Sequence, residues 1–112
     1  MRLFIAATLT ALSAALPARA EFEAGRDAYE KGDYTKALNE FLPSVMEGDI
    51  NAQFYLALMY EKGAGVPQDT FKAFKWYNLA AEQGSAEAMF KLGVYYYDGS
   101  GGAAKDAQQA LS

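Results

Sequence analysis

Shifted against itself by 36 residues, the sequence pairs Asp33 with Asp69, Lys36 with Lys72, Ala37 with Ala73, Gly48 with Gly84, Ala52 with Ala88, Leu56 with Leu92, Tyr60 with Tyr96 and Gly63 with Gly99. These belong to ten identities in 33 compared positions, where chance at ordinary residue usage gives roughly two. A fixed period constrains the fold more than any composition does, because each unit can then bury its apolar face only against its neighbours. The expected fold is all-α, a short solenoid of helical hairpins. Its most patterned stretch, 51–84, reads as one complete helix-loop-helix unit.

The chain divides into four segments under this reading. Residues 1–20 combine Arg2, an apolar run from Leu3 to Leu16, Pro17 and an Ala18-Arg19-Ala20 cleavage pattern. That is the form of a secretory signal peptide cut after Ala20, and the run is shorter than the ~20 residues a spanning helix needs. The expected location is therefore the periplasm or the exterior, with no stable membrane insertion after cleavage. Residues 21–48 form a leading hairpin whose helices cover 21–31 and 34–47, with Gly32-Asp33 between them. Pro43 lies inside the second helix, where a kink is expected, not a break, because apolar spacing resumes at Val45 and Met46.

Residues 49–84 form the complete repeat. Asp49 is placed to cap its first helix, whose Ala52, Tyr55, Leu56, Met59 and Tyr60 make a buried stripe. A glycine-bearing loop follows, with Val66 tucked under it and Asp69 positioned to cap the next helix, which presents Ala73, Trp76, Tyr77 and Ala80. Residues 85–112 begin a second copy, capped by Ser85, in which Asp106, Ala110 and Leu111 match Asp69, Ala73 and Phe74 once one residue is inserted. Its last helix is incomplete. Within Tyr95-Tyr96-Tyr97, Tyr96 is expected inside, with Tyr95 or Tyr97 at least partly outside, because successive helical side chains turn by about 100°.

Ala52, Leu56, Tyr60, Gly63, Gly65, Val66, Asp69, Lys72, Ala73, Trp76, Tyr77, Ala80, Ala81, Glu82 and Gly84 together resemble the repeat of the Sel1-like family, close relatives of the tetratricopeptide repeats. The leading hairpin looks tetratricopeptide-like. One departure is Ala57, where the family usually carries glycine; Gly93 restores it in the next copy. The resemblance implies an interaction scaffold or adaptor, often in envelope signalling or assembly, and no chemistry.

The residues themselves point the same way. The sequence has no histidine and no cysteine, so the commonest general base, the commonest metal ligand and the thiol nucleophile are all missing. No cofactor and no enzymatic activity are expected. With Arg2 and Arg19 set aside, eight basic residues stand against 14 acidic ones, a net charge of −6, which disfavours a nucleic-acid partner. The glycine clusters at 63–65 and 99–102 follow helices and lack the Lys-Ser/Thr of a phosphate loop, so they read as inter-helix turns. A protein or peptide partner is expected on the first-helix surfaces, at Gln53, Tyr55, Lys91 and Tyr95. The alternative is a self-associating structural protein using the unfinished last hairpin, or a truncated repeat fragment with no dedicated client.

Overall fold

The computed structural model describes residues 18–103. The signal-peptide reading of 1–17, and the matches at Asp106, Ala110 and Leu111, lie outside the described residues. Five helices follow in order: α1 (Ala18–Glu30), α2 (Tyr34–Met46), α3 (Ile50–Lys62), α4 (Thr70–Glu82) and α5 (Ala86–Asp98), then a 3₁₀ turn at Ser100–Gly102. The protein is an all-α hairpin array. Helix α1 begins at Ala18, upstream of the expected start, and the proposed cleavage point falls within its first turn.

Local signals set the boundaries. Asp33, Asp49, Asp69 and Ser85 each accept a hydrogen bond from the backbone N–H three residues on, at 3.2, 2.9, 3.0 and 3.1 Å. Each thereby satisfies one of the free amides at a helix start. Gly63 ends α3 in the left-handed conformation, φ 71°, with its N–H on the Met59 carbonyl. The following loop closes through the Asp69 N–H on the Tyr60 carbonyl, 2.9 Å, and the Gln68 side chain on the Glu61 carbonyl, 2.9 Å. Val66 is half-buried beneath it. Helix α2 runs through Pro43 as one element.

Two cores share α3. The first joins α1, α2 and α3 around Phe22, Phe41, Val45, Leu56 and Met59. The second joins α3, α4 and α5 around Ala57, Phe74, Tyr77, Ala88 and Tyr95. Tyr60 and Trp76 pack against both. Helix α3 is thus covered on opposite faces, and Ala57, fully buried, is accommodated where a glycine was the expected family residue.

The tyrosine triplet corrects one expectation. Tyr95 is the buried member, at 4% exposure, whereas Tyr96 is 44% and Tyr97 94% exposed. Tyr95 occupies the place of Met59 one period earlier, facing the hairpin already formed. Tyr96 and Tyr97 occupy the places of Tyr60 and Glu61, which in α3 are covered by the following helices; among the described residues α5 has no such cover.

Candidate protein-binding surface

The four residues expected to form a binding surface are mostly engaged internally. Gln53 is 6% exposed and accepts a hydrogen bond from the Gln83 side chain, 2.8 Å, tying α3 to the end of α4. Tyr55 is half-buried among Phe22, Tyr29, Phe41 and Phe54, with ring centroids 5.2 to 5.8 Å away. Burial pushes its hydroxyl above the ordinary tyrosine range. Lys91 is partly buried and paired with Glu61 at 3.2 Å. The exposure expected of Gln53 and Tyr95 is therefore corrected: both are core residues, Gln53 because the end of α4 closes over it and Tyr95 because it faces Phe74 and Tyr77 of α4.

Lys91 and Tyr95 instead belong to a cluster centred on Glu61. Its carboxylate accepts from the Tyr77 hydroxyl at 2.7 Å, the Tyr95 hydroxyl at 3.4 Å and the Lys91 ammonium at 3.2 Å. One side chain of α3 thus joins α4 and α5. Desolvation by burial raises the Tyr77 and Tyr95 hydroxyls well above the usual range, and the Glu61 charge beside each raises them further. Sequence reasoning missed this carboxylate because a Glu in the last turn of a helix looks solvated; only the packing of the next two helices shows its partners.

A more accessible feature lies where the start of α3 meets α1. Phe22, Glu23, Arg26, Asp49 and Asn51 line a groove of about 460 Å³. Phe22 supplies an apolar floor, 9% exposed, fixed by its contacts with Phe41 and Tyr55. The Arg26 guanidinium stands 5.9 Å from the Phe22 ring centre, and the Arg26 side chain is exposed. Asp49 is committed to capping α3, while Asn51 faces solvent. The lining combines an aromatic surface with hydrogen-bonding groups of both polarities, which suits a peptide or protein segment. Among the described residues, no group of three or more acidic, histidine or cysteine side chains could hold a metal, and no helix is long and apolar enough to cross a membrane.

The Sel1 repeat family model matches residues 18–40, 50–85 and 86–112. An exopolysaccharide production negative regulator from Rhizobium leguminosarum bv. viciae is 33% identical over 91 residues, which is 72% of this chain and 34% of the regulator. DAP3-binding cell death enhancer 1 of Rattus norvegicus is 37% identical over 60 residues, 54% of this chain and 12% of its own length. In solved structures, the protective antigen c5321 of uropathogenic Escherichia coli superposes with a TM-score of 0.72 at 35% identity, covering 84% of this chain and 21% of the antigen. A Sel1 repeat protein from Oxalobacter formigenes gives 0.70 at 36% identity, covering 76% of this chain and 36% of its own. The chain thus spans about a third or less of the length of these proteins. With its period of 36, its αα-hairpins and these matches all in agreement, the chain belongs to the Sel1 repeat family.

Proposed function

We propose that this protein is an exported, non-enzymatic repeat scaffold that acts by holding a protein partner, with the Phe22–Arg26–Asn51 groove as its contact. The observation that carries this reading is the groove itself: an aromatic floor, an exposed guanidinium and an exposed amide within one concavity between helices of successive hairpins. Arginine and aromatic side chains are enriched among the anchors that dominate binding energy at interfaces. The rat relative is by name a DAP3-binding protein and the rhizobial relative a negative regulator. Both names support a Sel1 array that works through contact with other proteins. The Arg2-to-Ala20 pattern supports export, and the family resemblance supports an envelope signalling or assembly role.

The test is capture of binding proteins from an envelope extract by immobilised protein, followed by calorimetric titration of the identified partner. Arg26→Glu with Asn51→Ala is expected to weaken binding at least ~10-fold with an unchanged melting curve, since both side chains are exposed. A partner held equally well by wild type and double variant would remove the groove assignment. Export is checked separately: cell fractionation should place the protein outside the cytoplasm, with Glu21 as the first residue by N-terminal sequencing.

A further inference from the structure

We infer that the outer face of α5 is an interface for a second copy of this chain, packed antiparallel about a two-fold axis through Gly93. Helix α5 buries Ala88 and Tyr95 on one side and leaves Met89, Phe90, Tyr96 and Tyr97 exposed at 52, 71, 44 and 94%. At 3.6 residues per turn, Phe90 and Tyr96 lie roughly 60° to either side of Gly93, and Met89 and Tyr97 roughly 40° to either side. The apolar positions are therefore symmetric about residue 93: −4, −3, +3 and +4. A two-fold interface requires one patch to be complementary to itself, and this spacing meets that requirement. In the antiparallel pairing Phe90 lies over Tyr96 of the other copy, and Met89 over Tyr97. The charged side chains of this helix lie off the stripe: Glu87 is roughly 120° from Gly93 around the helix, Lys91 is drawn back to Glu61, and Asp98 accepts from the Ser100 N–H and hydroxyl.

Gly93 itself allows the approach. A Cβ added there would meet nothing within 4 Å, so the backbone at the centre of the face is bare. One period earlier, the same position is Ala57, fully buried, with Gln53, Phe54, Tyr60 and Glu61 around it under α4 and α5. This face of the repeat is thus one that takes a helix, and in α5 its polar members have become Met89 and Tyr97. At ~150–250 Å² for an aromatic side chain, the exposed stripe amounts to roughly 500 Å² per copy, so pairing removes roughly 1,000 Å² in all, the lower bound for a specific interface. The expected dimer is reversible and concentration-dependent.

The chain has no cysteine, so a thiol can be placed on the axis alone. Helices 8–10 Å apart, with Cα atoms ~2.3 Å from each axis, bring facing Cα atoms to roughly 3.5–5.5 Å, a range that overlaps disulfide reach. Under mild oxidation, Gly93→Cys in the full chain is expected to cross-link to dimer at least ~10-fold faster than Met46→Cys, a residue 86% exposed on α2. In sedimentation up to ~0.5 mM, wild type is expected to dimerise, and Phe90→Lys with Tyr97→Lys to raise the dimer dissociation constant at least ~30-fold with its helical circular dichroism intact. Equal cross-linking at the two positions, a wild type monomeric throughout, or a double variant that associates like wild type would each overturn the assignment. A strict monomer would mean that the face is covered within the chain or by a different protein.

Discussion

At single residues, the departures from simple packing carry the sharpest expectations. Ser44 is fully buried, and its hydroxyl has no hydrogen-bond partner. One period later the same place is Ala80, also fully buried. Ser44→Ala should therefore stabilise the fold by about 1 kcal/mol, by removing an unsatisfied group and improving helix propensity. Thermal denaturation would show this as a rise of roughly 4–8 °C; a fall would mean that the hydroxyl is bonded in solution. Tyr77 is the opposite case, fully buried with its hydroxyl donated to the Glu61 carboxylate. Tyr77→Phe leaves that carboxylate short of a donor and should cost about 1.5–3 kcal/mol, the range for bonds to charged groups. The Tyr77 and Tyr95 hydroxyls are held above the ordinary tyrosine value of about 10. Above that pH the unfolded chain gives up these protons before the native state does, so stability is complete below pH ~10 and declines as pH rises beyond it. Melting curves between pH 8 and 11 should show the decline, and Tyr77→Phe with Tyr95→Phe should flatten it.

Helices and their ends were legible in the sequence because their causes are local. Asp49, Asp69 and Ser85 were readable as caps from their place just before an apolar period, and each does bond to the amide three residues on. Asp69→Ala should cost about 1 kcal/mol, measured by urea denaturation, whereas the same change at the exposed Glu82 should cost little. Contacts between elements were less legible. Gly25 looks like one more small residue on α1, yet a Cβ there would come within 2.5 Å of the Phe41 ring. Gly25→Ala gains helix propensity of about 1 kcal/mol but must displace a fully buried aromatic. A net loss of about 1–2 kcal/mol is expected, and a stabilised variant would show that α1 and α2 can separate without cost. The tyrosine triplet was misread for a related reason. Periodicity identifies two candidate faces on α5, but which face is covered depends on the helices before and after it.

The two cores divide the molecule into neighbouring cooperative pieces that share α3, and this arrangement predicts how mutational effects combine. Phe41 lies in the first core and Phe74 in the second, with Tyr60 and Trp76 as the side chains that touch both. In a linear array, stability is a sum of unit terms and nearest-neighbour terms. Phe41→Leu and Phe74→Leu should therefore add to within ~0.5 kcal/mol when the double variant is compared with the two single variants. Tyr77→Phe and Tyr95→Phe, which both act on Glu61, should fail to add by at least ~0.5 kcal/mol, because removing one donor changes the value of the other. The pattern matters more than either number. Strong coupling between the phenylalanines, above ~1 kcal/mol, would show that Tyr60 and Trp76 bind the cores into one unit, and Trp76→Phe should then abolish that coupling. Additive phenylalanines beside coupled tyrosines would instead locate the junction between repeats at Glu61, whose carboxylate reaches α4 and α5 together.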